Sequence, residues 1–235
     1  MDLVGLVALC YHKVGTEEAE GRRLNIHPVR LDSHIRHFQR RGYRFIRAVE
    51  ADPADKNRSV CFTFDDGFVS TLENGAAVFD RHGLPMTVYI VSELVGHSSE
   101  WEGEQSRPLA TWQGLVDLQS RGHEVGNHSA SHPKFADLSL DDQLDQIRTC
   151  HEAMVGHGLK PESFCYPYGS LNTDSIRAVA NCGYRVGMAL GKRPAKPTDP
   201  RLAIPRVVVA YGDSLPMLLY KLHLKPFARR SRPLH

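Results

Sequence analysis

No stretch of the 235 residues approaches the ~20 consecutive apolar positions needed to cross a bilayer, so a spanning helix is not expected. Cysteine is scarce and poorly placed for crosslinking. Cys10, Cys61, Cys150, Cys165 and Cys182 form an odd set without a CxxC pair. That excludes a disulfide-stapled miniprotein and a zinc–thiolate cluster, and it fits reduced thiols in a cytoplasm. The net charge is only +2, which argues against a nucleic-acid partner. Low-complexity linkers and internal repeats are also missing, so a single domain is expected. The N-terminal run Met-Asp-Leu-Val-Gly-Leu-Val-Ala-Leu lacks a basic segment and meets Cys10-Tyr11-His12 without a spacer. It reads as a buried strand rather than a signal peptide, and a cytoplasmic location is the expectation.

What is present is an ordinary globular balance, 41% apolar and 24% charged, with an unusual 13 histidines. Histidine is the commonest metal ligand and the acid or base that works nearest neutral pH. Short β-branched or aromatic runs at 3–10, 43–46, 60–64, 86–91, 124–127, 163–166, 184–188 and 205–209 read as strands. Segments of helical period lie between them, around Leu31, Ile35 and Phe38, then Leu72, Ala76 and Phe79, then from Thr111. Further on, Ser139 caps a helix striped with Leu140, Leu144, Ile147 and Met154, and a short helix covers 173–181. Such alternation predicts an α/β fold with a parallel sheet, open or closed into a barrel. Residues 96–110, with Trp101, have no period and suggest a functional loop. Residues 214–235 carry Lys221, Lys225, Arg229, Arg230 and Arg232 and no acid. They read as a solvated basic tail after a body of residues 1–213. The sharper alternative is a helix with a basic face that meets phosphate or a membrane surface.

Four strand ends carry candidate chemistry, because ligands gather at the carboxyl ends of parallel strands. Thr63-Phe64-Asp65-Asp66-Gly67 ends one strand in two adjacent carboxylates, whose mutual repulsion favours a nearby cation. Taken alone, it would more readily be read as the cap of the helix that follows. His128-Ser129-Ala130-Ser131-His132-Pro133 follows another strand. Two histidines four apart can share a metal from one face of a helical turn, with Pro133 limiting it to a single turn or tight loop. Such pairs also occur by chance on surfaces. Together with a carboxylate they make a His2Asp set. Phe164-Cys165-Tyr166-Pro167-Tyr168-Gly169 breaks a third strand in a turn whose N–H groups can face an oxyanion. Finally, Leu9-Cys10-Tyr11-His12 places a histidine at the end of the first apolar strand.

In this order the four motifs resemble the polysaccharide deacetylase family (NodB homology, carbohydrate esterase family 4), from about His12 to Arg206. The resemblance implies a single-domain, distorted (β/α) barrel and a metal-dependent hydrolase. It implies Asp65 as general base, and Asp66, His128 and His132 as ligands of one divalent ion, zinc with cobalt or nickel as alternatives. The Tyr168 N–H would belong to the oxyanion hole, and Tyr166, Pro167 and Trp101 would line the substrate. The family's third motif usually starts with an arginine that orients the base, and here that position is Cys165. Arg206, in Ile-Pro-Arg-Val, is the candidate replacement. The usual C-terminal Leu-x-His is missing, since His223 in Lys-Leu-His does not match it. The Tyr11-His12 pair instead resembles the poly-N-acetylglucosamine deacetylase branch, in which the catalytic acid stands near the N-terminus. The implied substrate is an N-acetylated amino sugar, read here as a glycoside or biosynthetic intermediate. A sugar O-deacetylase or deformylase, or an inactive glycan-binding module, is the alternative. The other histidines, among them His34, read as solvated. His123, His223 and the oligomeric state stay open.

Overall fold

The computed structural model describes residues 5–225. Its strands are β1 (Leu6–Tyr11), β2 (Lys13–Val14), β3 (Asn25–Ile26), β4 (Arg44–Ile46), β5 (Ser59–Phe64), β6 (Thr87–Ile90), β7 (Glu124–Asn127), β8 (Phe164–Cys165), β9 (Gly187–Gly191) and β10 (Ile204–Val208). Seven of them close a parallel barrel in the order β1-β10-β9-β8-β7-β6-β5, with β5 returning to β1. The choice the sequence left open is therefore settled as a closed (β/α) barrel. The strand β4 lies outside the ring on β5, and β2 pairs with β3 in a separate two-stranded sheet. All eight expected strands appear in the expected order. The one placed at 184–188 begins later, at Gly187, because Tyr184 is drawn into the outer layer, where its hydroxyl meets Asn127 and His151.

Period-two alternation divides the side chains between two cores. Along β1 and β5, Val7, Leu9, Tyr11, Val60, Phe62 and Phe64 face outward to the helices, while Leu6, Ala8 and Cys61 face the lumen. A seven-stranded barrel is narrow, so its interior is filled mainly by small residues beside Tyr89 and Met188. Gly126 shows how tight it is, since a Cβ there would stand 2.4 Å from the Tyr89 ring. The lumen's lower end holds a polar cluster in which Glu124 accepts hydrogen bonds from Ser163 at 2.5 Å and Thr87 at 3.0 Å.

The helices are α1 (Glu17–Glu20), α2 (Pro28–Arg40), α3 (Ala76–His82), α4 (Trp112–Ser120), α5 (Leu140–Gly156), α6 (Thr173–Asn181) and α7 (Leu215–His223). As read from the sequence, Ser139 caps α5 by accepting from the Asp142 N–H. Two expectations need correction. His34 is fully buried on α2 with Leu31, Ile35 and Phe38, and its Nδ1 lies 3.1 Å from the Tyr11 hydroxyl. The segment after 213 is not simply a solvated tail: α7 inserts Leu218 and Leu222 into the outer core beside α2. Of its five cations, Arg229, Arg230 and Arg232 lie outside the described residues. Among the described residues, no helix is long and apolar enough to cross a membrane.

Candidate metal and catalytic site at the barrel mouth

The alternation that fills the lumen also aims the site. On β5, Cys61 and Thr63 point inward, so Asp65, next in the same phase, points into the mouth. On β10, Ile204 and Arg206 share that phase. Arg206 is completely buried, and Asp65 nearly so. Its Nη1 and Nη2 grip the two Asp65 oxygens at 2.5 and 2.8 Å. The remaining N–H groups reach Thr63 Oγ1 at 2.7 Å, Cys165 Sγ at 2.9 Å and the Ala189 carbonyl at 3.2 Å, so all five donors are engaged. Cys165, standing where an arginine was expected, thus leaves room for a guanidinium arriving from a strand 41 residues away. Burial by itself would raise the Asp65 carboxyl, but the Arg206 guanidinium outweighs it and holds the group well below the usual carboxylate range.

Next to this pair, Asp66, His128 and His132 bring one ligand atom each within 4.8 Å of one another. Asp66 Oδ1 lies 3.5 Å from His128 Nε2 and 3.3 Å from His132 Nε2, yet it is a buried oxygen without a hydrogen-bond partner. The contact between His128 Nδ1 and the Cys165 carbonyl, at 2.8 Å, must be donated by the imidazole, because a carbonyl only accepts. That leaves the His128 Nε2 lone pair facing the carboxylate. Two donors bound to one zinc at its usual distances and tetrahedral angle stand about 3.4 Å apart, close to the observed spacings. An orphaned carboxylate, a tautomer locked by a backbone partner and this spacing together fit a divalent cation.

Of the single turn or tight loop expected around Pro133, the structure has the loop. Residues 128–133 form an irregular loop in which Ser129 (φ 75°) and His132 (φ 64°) are left-handed. Five non-glycine residues among those described have such backbones, and four of them, Asp66, Ser129, His132 and Tyr168, belong to these site loops. Strained backbone concentrates where side chains must be aimed. At Tyr168 (φ 58°), following the helical Pro167, it turns the peptide as in an anion-binding nest. The Tyr168 ring lies 4.5 Å from that of His132, tilted by 50° to it, and the Trp101 ring lies 4.2 Å from the same imidazole. Pro167 is buried within the turn. Tyr166 does not reach the mouth. Strand phase turns it into the outer core with Phe135 and Phe164, where its hydroxyl donates to the Leu202 carbonyl at 2.8 Å. A ligand contact through its side chain is therefore excluded.

His12 follows β1 at the mouth, with a ring nitrogen, the Cys10 Sγ and an Asp65 oxygen within 4.8 Å of one another. Its carbonyl is held by the Thr71 hydroxyl, from a single π-helical turn, Thr71–Gly75. Sequence reasoning missed Lys13 and Glu102. This buried pair, 2.9 Å apart, ties the His12 segment to the Trp101 loop, and its separation of 89 positions along the chain leaves no local signal.

The polysaccharide deacetylase family model matches residues 52–187. The chain belongs to that family. It is 27% identical over 176 residues to the poly-beta-1,6-N-acetyl-D-glucosamine N-deacetylase of Staphylococcus epidermidis, a match covering 71% of this chain and 59% of that protein. The Escherichia coli protein of the same name is 22% identical over 254 residues, covering 90% of this chain and 37% of its own length. The chain thus spans less than two thirds of the length of both relatives. Among solved structures, it is similar to the Streptococcus pyogenes deacetylase PplD in complex with acetate, with a TM-score of 0.77 at 20% identity, covering 94% of this chain and 99% of that one. It is also similar to IcaB from Ammonifex degensii, with a TM-score of 0.76 at 24% identity, covering 92% and 95%.

Proposed function

We propose that this deacetylase-family chain hydrolyses the N-acetyl group of an N-acetylated amino sugar, with one divalent ion held by Asp66, His128 and His132. The observation that carries the reading is the single mouth in which this ligand triad meets an arginine-gripped carboxylate. A bound divalent ion supplies polarisation of the acyl carbonyl and acidification of a water. Asp65, ionised and aimed by Arg206, takes the proton of the attacking water. The Tyr168 N–H stabilises the oxyanion that forms on the carbonyl. His12 gives its proton to the departing nitrogen as the C–N bond breaks, leaving acetate and the free amine. Support also comes from the two relatives named as N-deacetylases of an N-acetylglucosamine polymer. A cytoplasmic location belongs to the same proposal, and its support is that all five cysteines are free thiols, four of them buried.

The test is acetate release from a panel of N-acetylated sugars with zinc, cobalt or nickel added in turn. Asp65→Asn is expected to lower turnover at least about a thousandfold, in line with the loss of a general base, while bound metal stays near the wild-type level. His132→Ala is expected to lose both. Near-normal turnover by Asp65→Asn would remove Asp65 as the base. Release from O-acetyl or N-formyl sugars alone would move the chain to the O-deacetylase or deformylase reading.

A further inference from the structure

Beside the site, where β9 and β10 stop pairing after Gly191 and Val207, a cavity of about 680 Å³ opens beneath α7. It shares a wall with the reaction centre. Leu190 lies in register with Arg206 and also closes on the Tyr168–Gly169 turn, where a Cβ on Gly169 would stand 2.6 Å from it. Val208, another lining residue, is two positions beyond Arg206 in the same strand phase, roughly 7 Å along the strand. In that phase the cavity wall thus begins two strand positions beyond the residue that grips Asp65.

Its lining has two characters. Leu190, Val207 and Val208 make an aliphatic floor, and Lys192, Arg193, Lys221 and Lys225 bring four cations without an acid. Two of these are compensated from behind: Arg193 grips Asp199 at 2.7 Å, and Lys221 is paired with Asp213. Among the described residues, no carboxylate within ion-pair distance answers Lys192 or Lys225, so the cavity carries surplus positive charge. Among the described residues, its lining holds no aromatic ring on which a nucleobase could stack. At about 100° per residue, Lys221 lies on α7 between the buried face of Leu218 and Leu222 and a stripe of Met217, Tyr220 and the C-cap Leu224, and Lys225 follows just past the helix end. That stripe is exposed, as is Leu190, and these four make up most of the seven large exposed hydrophobics among the described residues.

We propose that this cavity is the subsite for the phosphoryl group of a lipid-linked amino sugar. The phosphate is held by Lys192 and Lys225, the first apolar units of the lipid lie on Leu190, Val207 and Val208, and the α7 stripe faces the membrane. This deepens the proposed function and rests on it for the reaction, though not for the binding.

Two measurements on the full chain keep the two apart. The first is binding of farnesyl phosphate, which carries no acyl group. Wild type is expected to bind it, and Lys192→Gln/Lys225→Gln to bind at least about tenfold more weakly, since each charge-assisted contact is worth more than a factor of ten. Neither lysine touches the reaction centre, and Lys192 is exposed, so folding is not at issue. The second compares acetate release from a farnesyl-phosphoryl N-acetylhexosamine, its phosphate-free octyl glycoside and a nucleoside-diphosphate N-acetylhexosamine. The farnesyl-phosphoryl sugar is expected to lead in kcat/KM by about tenfold or more. The double variant should erase that lead while leaving octyl glycoside turnover unchanged. Farnesyl phosphate binding that is absent, or indifferent to the double substitution, overturns the subsite, and so does a preference for the nucleotide-linked sugar. If farnesyl phosphate binds as expected but no probe releases acetate, the subsite stands and the deacetylase reading falls.

Discussion

Among the described residues, Arg206 heads the fully buried side chains by volume, in a lumen otherwise built mainly from small residues. Its charge is tolerable there because Asp65 neutralises it and three further acceptors take the remaining N–H groups. Arg206→Met removes one partner and leaves a buried carboxylate uncompensated. It is expected to lower unfolding free energy by about 3–5 kcal/mol in urea denaturation. Arg206→Lys keeps the charge but loses the two-pronged grip, so activity should fall while more of the stability returns. The sign of the pH effect follows from Asp65, whose folded carboxyl titrates below its unfolded range of about 3.9. The pair's stabilisation is fully present above that range and is lost only as pH falls through the lower, folded value.

At the scale of elements, α2 is clamped to β1 through a group that sequence reading left in solvent. Burial pushes the His34 imidazole down to about 4, against opposition from the Asp213 carboxylate, so it is neutral in the folded protein. The unfolded chain takes up this proton near pH 6.5, the folded one only near 4. Stability is therefore expected to decline as pH drops from about 6.5 to about 4 and then to level off, a loss of roughly 3 kcal/mol from this group. Thermal melts across that range should show the slope in wild type and a flatter profile in His34→Gln. The segments that carry the site are held in a similar way by distant partners. Thr71 fixes the His12 carbonyl, and the Lys13–Glu102 pair sets the Trp101 loop against His132.

For the molecule as a whole, the mouth gathers left-handed residues, orphaned buried polar atoms and three facing ligand atoms at the open end of a closed ring. A cation bound there would join loops following β5 and β7 and offset their strain. Exhaustive chelation is expected to lower the melting temperature. For a ligand at a hundred times its Kd the linked stabilisation is about 2.7 kcal/mol, or roughly 5–10 °C for a chain of this size. Calorimetry with and without chelator, followed by zinc addition, measures this. Equal melting temperatures for the chelated and zinc-loaded protein would argue against the ligand set.

The alternation of strands and helices, the Asp-Asp-Gly and His-x-x-x-His ends and the cap of α5 were legible in the sequence, because each depends on residues close together in the chain. The order of the strands and their parallel sense followed from the same local periods. What the sequence left open were contacts between remote residues. Whether the sheet closed, how Arg206 came to grip both Asp65 oxygens, and how Lys13 found Glu102 depended on register around the ring. So did the fate of individual side chains. Strand phase carried Tyr166 out of the mouth and Arg206 into it, and helix packing buried His34 and Leu218 where polarity or position along the chain had suggested solvent. A period of two or 3.6 says that a residue has a face, but only the closed barrel decides which faces look at each other.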